Sequence, residues 1–389
     1  MLTRIEIDGF KSFLDFELDV PPFLALVGPN ASGKSNLFDA IQYMRDALAS
    51  PFEALLASRR GRPQELFHRD VDGSPVDEFT VITRHLLNLP DGIAGVDVAD
   101  GARLRAGVPA AKTPYRQALD LDTEVGLPEA VRALASREVG DAFAVGDGLR
   151  VKDVVDAAGA EIFQVRQYVT EPSAMRAVAS RADVRPLLTD GGNLAAVLGR
   201  MSSSEELDDL MVDLAALVPD VREIRTELDE KRQEWSFDLV FEGQGSVPST
   251  LLSDGTLRIL GLLAALHDPD HSGVLMVEEI ENGLHPGRLA ELLRRIQERV
   301  TDLNDPESLA RPLRQVIITS HSPVVVSELY RTRPESLVFM DTAVRVDPDK
   351  ERVSRVTVAK PVRDEGEPGT FVSPRQVRKY LGTVRQDEL

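Results

Sequence analysis

The sequence lacks several features that mark particular classes of protein. Its 389 residues include no cysteine, which excludes disulfide frameworks, zinc fingers and C-x-x-C redox motifs. No run of about 18 consecutive apolar residues is present, so no transmembrane helix is expected. The first residues, MLTRIEI, alternate apolar and charged side chains and differ from a signal peptide. We therefore expect a cytoplasmic protein without a membrane partner.

Basic residues are also scarce relative to acidic ones. The chain has 45 lysine and arginine residues against 64 aspartate and glutamate residues, a formal net charge of −19. An acidic surface disfavours strong non-specific binding to nucleic acid, because the phosphates are repelled. A local basic groove is still compatible with this average, so DNA stays open as a partner that the charge does not support.

The sequence does contain an unbroken phosphate-binding motif. The stretch from Gly28 to Ser35 reads GPNASGKS and matches G-x-x-x-x-G-K-S at every fixed position. The apolar run Leu24–Val27 predicts a buried strand before it, and residues 36–48 predict an amphipathic helix after it. A strand, a glycine-rich turn and a helix N-terminus together form an anion site, because backbone N–H groups and the helix dipole face the ligand.

This loop predicts an ATP site with bound Mg²⁺. Lys34 is expected to reach the β- and γ-phosphates and to act in catalysis, and the Ser35 hydroxyl is expected to bind the metal. The other ATP contacts predicted in the loop are Gly28, Asn30, Gly33 and Asn36.

An apolar strand that ends in two carboxylates follows much later in the chain. Residues Val274–Val277 predict a buried strand, and Glu278 and Glu279 come directly after it. A P-loop ATPase needs one carboxylate to orient the hydration shell of Mg²⁺ and often a second to position the attacking water. We assign the metal role to Glu278 and the general-base role to Glu279. The alternative is a solvated acidic turn after an ordinary strand.

Two further motifs lie on either side of that strand in the sequence. Ser253, Gly255 and Thr256 precede a predicted helix, where hydroxyl and backbone donors can meet a γ-phosphate. By itself this pattern indicates only a helix N-cap and a turn, but it lies shortly before the acidic strand. His321 follows another predicted strand, and so should lie at the ligand-binding edge of the sheet, near the γ-phosphate or the attacking water.

Together these motifs resemble the ATP-binding-cassette (ABC) ATPases of the RecF/SMC/OLD type, and in particular the stand-alone "predicted ATPase" group that has no Toprim domain. The resemblance implies an α/β P-loop head with a mainly parallel sheet, an added N-terminal antiparallel sheet and a compact mixed or helical insertion. The matching segments are residues 7–13, 28–36, 252–258, 278–286 and 319–323.

The resemblance also implies how such heads work. They dimerise with two ATP molecules between them, so that the signature of one copy, here Ser253 to Thr256, caps the γ-phosphate held by the other copy. Lys11 and Ser12 match a lead-in segment that approaches the nucleotide. Arg258 is expected to contribute to the dimer or to nucleotide sensing.

The predicted domains follow the same resemblance. Inside the insertion, the clearest pattern predicts a helix over 205–217, with Ser203 and Glu206 as its capping box. The predicted divisions are an ATPase head over 1–90 and 235–345, an insertion over 91–234, and a C-terminal hairpin and tail over 346–389.

The function that we expect is an ATP-hydrolysing switch that forms a homodimer on binding ATP, in DNA maintenance or mobile-element defence with a partner protein or nuclease. One alternative is a subunit of a nuclease complex. The D-x-D at 347–349 lacks the acidic strand end that a Toprim metal site needs, so no nuclease activity is predicted from it. Another alternative is the ATPase subunit of an ABC transporter, which the signature and lead-in motifs disfavour.

Overall fold

The computed structural model describes residues 1–49, 55, 62–89, 92–105, 108–111, 164–169, 171–269, 273–309, 311–347 and 352–387. The strands are β1 (Leu2–Asp8), β2 (Phe16–Asp19), β3 (Phe23–Val27), β4 (Glu78–Leu89), β5 (Gly92–Arg105), β6 (Val108–Ala111), β7 (Arg166–Tyr168), β8 (Ala179–Ser180), β9 (Val221–Asp229), β10 (Glu234–Phe241), β11 (Gly245–Pro248), β12 (Gly273–Val277), β13 (Arg314–Ser320), β14 (Leu337–Asp347) and β15 (Arg352–Pro361). The helices are α1 (Lys34–Ala49), α2 (Pro172–Met175), α3 (Leu194–Met201), α4 (Glu205–Leu217), α5 (Asp254–His267), α6 (Pro286–Arg299), α7 (Pro306–Leu309), α8 (Pro323–Thr332) and α9 (Pro374–Asp387). Single 3₁₀ turns occur at Pro63–Leu66, Ser249–Leu251 and Pro334–Ser336.

The chain divides into two compact units. The first unit comprises Met1–Val165 and Val300–Leu389, and the second comprises Arg166–Arg299. The predicted partition into head, insertion and tail is a different division of the chain and stays a prediction. No helix in the described part of either unit is long and apolar enough to cross a membrane.

An antiparallel sheet forms one layer of the first unit. Its strands lie in the order β2-β1-β4-β5-β6, and each neighbouring pair is antiparallel. The alternating pattern of β2 explains its placement, because Phe16 and Leu18 are buried whereas Glu17 and Asp19 are exposed. The added N-terminal antiparallel sheet was predicted from β1 and β2, but β4, β5 and β6 were not.

A parallel sheet in the same unit positions the phosphate-binding loop. Strand β3 pairs in parallel with β13 on one side and with β14 on the other, and β15 pairs antiparallel with β14. All five residues of β3 are buried, as expected for a strand that is covered on both faces.

Aromatic residues make up only 5% of the chain, and several of them join helix α1 to the antiparallel sheet. The ring centroid of Phe79, in β4, lies 5.2 Å from that of Phe10 and 5.3 Å from that of Tyr43, in α1. Phe67 adds a third edge-to-face contact with Phe79 at 5.0 Å. Since Tyr43 belongs to α1, this cluster fixes the helix that follows the phosphate-binding loop against the antiparallel sheet.

The second unit contains a four-stranded antiparallel sheet, a separate pair of parallel strands and several packed helices. Strand β10 pairs with β9, β11 and β8, and β12 pairs in parallel with β7. Helix α4 has the predicted bounds, Glu205–Leu217, but the predicted capping box is wrong. The N-cap is Ser204 rather than Ser203, and its side chain makes no capping hydrogen bond, because its hydroxyl donates to the Met201 carbonyl at 3.0 Å.

A buried carboxylate joins three helices of the second unit. Asp213, in α4, is 2% exposed, and its Oδ2 lies 2.8 Å from Nε2 of His267 at the end of α5. From α6, Arg295 and Arg299 donate to the same carboxylate at 3.1 Å and 3.3 Å. Burial opposes ionisation of Asp213, but the bond with His267 and the two arginine charges together hold its pKa below the usual value.

We predict that Asp213→Asn lowers the free energy of unfolding by about 3 kcal/mol at neutral pH, because it removes the one carboxylate that these cations share. The pKa of Asp213 is lower in the folded protein than in the unfolded chain, where it is about 3.9. Its contribution to the free energy of unfolding is therefore complete above about pH 3.9 and is lost as the pH falls through the pKa of the folded protein. Denaturant unfolding of both proteins at neutral and acidic pH measures the difference.

The matched control is Asp209→Asn, which removes an exposed carboxylate that also contacts Arg299, at 3.1 Å. This variant should cost less than about 1 kcal/mol, as exposed ion pairs do. Equal stability of Asp213→Asn and the unmodified protein at neutral pH would contradict the assignment, as would a difference that grows on acidification.

Candidate nucleotide-binding site

The phosphate-binding loop begins where β3 and its parallel neighbour β13 end, beside β14. Val27, the last residue of β3, is in register with Ser320 of β13 and with Phe339 of β14. The loop from Gly28 therefore leaves the sheet at its carboxyl edge, and helix α1 begins at Lys34. The predicted sequence of strand, turn and helix is confirmed.

Both fixed glycines of the loop are required by close packing. A Cβ atom on Gly28 would lie 2.2 Å from the backbone oxygen of Met340, and one on Gly33 would lie 2.1 Å from Oγ1 of Thr357. Gly33 also has a φ of +97°, in the region that favours glycine. The glycines of the motif therefore accommodate the close approach of β14 and β15.

Lys34 and Ser35 are the first two residues of helix α1 and lie directly after the loop. Lys34 is 9% exposed, and its Nζ donates to the carbonyls of Gly28 and Pro29 at 2.7 Å and 2.9 Å. The ammonium group is thus held over the loop, where phosphate oxygens would be stronger acceptors than these neutral carbonyls. Ser35 is exposed on the first turn of the 16-residue helix α1, so its hydroxyl fits a role as a Mg²⁺ ligand.

A hydroxyl bridge fixes the lead-in segment beside this loop. The Ser12 Oγ accepts hydrogen bonds from Asn36 Nδ2 at 2.9 Å and from Thr357 Oγ1 at 2.8 Å. The backbone N–H of Thr357 also donates to the Ser12 carbonyl at 2.8 Å. Ser12 and Asn36 were predicted site residues and lie together here. Thr357 was not predicted, because a threonine in a strand has no distinguishing local pattern.

Lys11 lies on the same segment but contacts α1 through its side chain. It has a φ of +47°, and its ammonium group pairs with Asp39 of α1. Its carbonyl lies 2.7 Å from Nδ1 of His68. A carbonyl can only accept, so Nδ1 carries the proton, and burial lowers the pKa of His68 and favours this neutral ring. The predicted nucleotide contact of Lys11 stays a prediction.

His321 is exposed at the same sheet edge as Gly28. It follows Ser320, the β13 residue paired with Val27, and it precedes helix α8. Ser322 caps that helix by accepting from the N–H of Val324 at 3.2 Å, while the Ser322 N–H donates to Ser320 Oγ at 2.9 Å. These bonds fix the turn that carries the histidine.

In the second unit, Glu279 lies in a strained turn at the end of β12. Its φ is +47°, a conformation that is uncommon outside glycine and is concentrated at functional sites. Its Oε2 accepts from Asn282 Nδ2 at 2.6 Å, and its carbonyl accepts from the Asn282 N–H at 2.8 Å. A pocket of about 270 Å³ is lined by Glu278 and Glu279 together with Arg258 and Tyr168.

The signature segment packs against the same turn. Ser253 caps helix α5, with its Oγ accepting from the Thr256 N–H at 3.2 Å and lying 2.8 Å from Thr256 Oγ1. A Cβ atom on Gly255 would lie 2.6 Å from the Gly283 carbonyl, so glycine is needed for this approach. Ser253 is exposed at the N-terminus of a 14-residue helix.

Arg176 holds the signature segment from outside it. Its guanidinium donates to the Leu252 carbonyl at 2.9 Å and pairs with Asp254 at 2.6 Å. No local pattern predicts this contact, because 76 and 78 residues separate the partners. The residues described here contain no group of three or more metal-ligating side chains that could hold an ion by themselves.

The chain is similar to several known proteins. A family model described as "AAA domain, putative AbiEii toxin, Type IV TA system" matches residues 23–85 and 168–327. The chromosome partition protein Smc of Methanocaldococcus jannaschii is 41% identical over 68 residues, which is 16% of this chain and 6% of that protein. Smc of Pyrococcus furiosus is 33% identical over 110 residues, 23% of this chain and 9% of that protein. The chain therefore spans only a small part of these relatives.

A solved structure gives a likeness over nearly the whole chain. It is an SMC head bound to the C-terminal winged-helix domain of ScpA, with a TM-score of 0.53 and 14% identity, and it covers 92% of this chain and 98% of that one. At this identity the likeness shows the fold alone. The predicted fold class and the resemblance to RecF/SMC/OLD-type ATPases are confirmed by these matches.

We predict that Lys34→Ala raises the Kd for ATP by about 10²-fold without altering the fold, because it removes charge-assisted hydrogen bonds to the phosphates. Calorimetric titration with Mg-ATP measures the affinity. Lys360→Ala is a control, since Lys360 pairs with Asp341 at 2.8 Å on the hairpin. Unchanged affinity in Lys34→Ala would refute the phosphate-site assignment.

Proposed function

Because the chain belongs to this AAA-domain family, we propose that it is an ATP-binding and ATP-hydrolysing molecular switch that dimerises head to head around ATP. The observation that carries the proposal is the phosphate-binding loop. Its glycines are fixed by packing, Lys34 is held over the loop, and His321 lies at the same sheet edge. Helix α1 begins at the loop and directs its N-terminal N–H groups to the phosphates.

In this proposal the residues of the two units have separate tasks. Lys34 binds the β- and γ-phosphates, and Ser35 and Glu278 hold Mg²⁺, which supplies charge neutralisation when bound. Glu279 accepts a proton from the attacking water, and His321 contacts the γ-phosphate or that water. The bond from Asn282 supports the role of Glu279, because it orients the carboxylate in a turn that is already strained.

We propose further that the signature acts on the nucleotide of a second copy. Ser253 and Asp254 are exposed, so this helix N-terminus is accessible to a partner molecule. A helix N-terminus with a serine hydroxyl is suited to a γ-phosphate, because both supply donors to an anion. ATP would then connect the two copies, and hydrolysis would release them.

The biological setting that we propose is DNA maintenance or mobile-element defence with a partner protein. The family description names a type IV toxin–antitoxin system, and this supports a role in defence. The similar relatives are chromosome partition proteins, and the similar solved head is bound to a domain of ScpA, which supports a partner protein. The alternative proposal is that the partner is a nuclease and that this chain is a subunit of a nuclease complex.

We predict that Glu279→Gln keeps ATP binding, slows hydrolysis by at least about 10²-fold and accumulates an ATP-bound dimer. The amide keeps the shape of the side chain and can still accept from Asn282, but it is too weak a base to take a proton from water. Phosphate release and light scattering with ATP measure both effects. If Glu278→Gln stops turnover while Glu279→Gln stays active, the two roles are exchanged.

We predict that Ser253→Arg binds ATP normally as a monomer but forms no ATP-dependent dimer and hydrolyses little ATP. Each phosphate-binding loop supplies the donors for its own nucleotide, whereas a bulky side chain on the signature blocks the approach of a second copy. Calorimetry and light scattering separate the two properties.

Mixing this variant with Lys34→Ala tests the arrangement directly. In a mixed dimer, one composite site has both substitutions and the other has neither. Activity recovered on mixing is therefore expected only if loop and signature act on one nucleotide from different copies. Loss of nucleotide binding by monomeric Ser253→Arg would show that the signature acts within one copy, and the dimer model would fail.

A further inference from the structure

The hairpin formed by β14 and β15 has two unlike faces. On one face Ser354 and Val356 are buried, and Arg345 pairs with Asp15 of the N-terminal segment. This face is therefore occupied by the protein's own chain.

The opposite face begins at the phosphate-binding loop and continues into solvent. Thr357, which contacts Gly33, is paired across the hairpin with Thr342. Alternation along the strands places the next pairs, Val344 with Arg355 and Val346 with Val353, on the same face.

The valines on this face are exposed. Val344, Val346 and Val353 are 70%, 61% and 40% exposed. We call this surface, made of Val344, Val346, Val353 and Arg355, the hairpin platform.

The side chain of Arg355 points along the hairpin towards the phosphate-binding loop. Its Nη2 donates to Thr342 Oγ1 at 3.2 Å, and Thr342 is one pair nearer to the loop than Arg355 itself. One pair along the same face corresponds to about 7 Å of strand. The guanidinium group is therefore held above the stretch of hairpin between the valines and Thr357.

Exposed β-branched side chains in a row are unusual on a free surface, and an apolar row beside a polar site marks a binding surface. We propose that the hairpin platform receives the base and ribose of the nucleotide whose phosphates bind at Gly33 and Lys34. The base lies against Val344, and the planar guanidinium of Arg355 stacks on it. The proposal rests on the proposed function, since it needs a nucleotide at the loop.

The position of the platform beside the phosphate-binding loop selects this occupant. Thr357, a buried residue on the same face as the platform, belongs to the Ser12 and Asn36 bridge beside the loop. The platform therefore begins next to the loop, and the proposal places a nucleoside attached to the bound phosphates against it. An apolar surface beside a guanidinium plane suits a flat aromatic ring that is joined to anionic groups.

Calorimetric titrations with Mg-ATP and with inorganic Mg-tripolyphosphate test the platform. The variants are Arg355→Ala, Arg355→Lys and Val344→Thr, and the control is Val184→Thr, an exposed valine of the second unit. Arg355→Ala and Val344→Thr should bind ATP about fivefold to tenfold more weakly, the size of one lost stacking contact. Tripolyphosphate affinity should not change, and Arg355→Lys should recover little, because lysine keeps the charge but not the plane.

The other outcomes overturn the proposal in recognisable ways. Equal weakening of ATP and tripolyphosphate in Arg355→Ala, with rescue by Arg355→Lys, makes Arg355 a phosphate ligand. Unchanged ATP affinity with a lost ATP-dependent dimer makes the platform a contact between copies. If the unmodified protein binds neither ATP nor tripolyphosphate, the proposed function itself fails, and the platform fails with it.

Discussion

The phosphate-binding loop has no space for a side chain at Gly33, and the first compact unit is built around this constraint. Thr357 occupies that space, with its Oγ1 2.1 Å from the position of a Cβ atom on Gly33. The same hydroxyl donates to Ser12, which also accepts from Asn36. A residue larger than glycine at this position would displace the last strand, the lead-in segment and the start of α1 together.

In the second unit, the corresponding constraint is the strained turn that carries Glu279. Glu279 has a positive φ, and Asn282 binds both its carboxylate and its carbonyl. The close approach of Gly255 to Gly283 joins this turn to the signature helix, whose far end is fixed by Asp213. A shift of the signature segment is therefore expected to move the Glu279 carboxylate. The proposed ATP-driven switch requires such a coupling between the two segments.

Local pattern predicted much of the fold, because strands and helices follow from apolar spacing. The loop with its strand and helix was found in this way, and helix α4 has the predicted bounds. The missed contacts join distant parts of the chain, since Ser12 and Thr357 are 345 residues apart and Thr357 has no distinguishing local pattern. The capping box at Ser203 failed for a local reason, because the neighbouring Ser204 is the N-cap.

The central claim is that each ATP lies between the loop of one copy and the signature of another. The chain has no cysteine, so single cysteines can be placed at two exposed positions, Ala31→Cys in the loop and Leu251→Cys before the signature. The measurement is cross-linking of a mixture of these two variants with a short bis-maleimide. The account predicts a cross-linked dimer that forms in ATP, needs both variants and is lost in ADP. Equal cross-linking in ADP and ATP, or none in ATP, would contradict it.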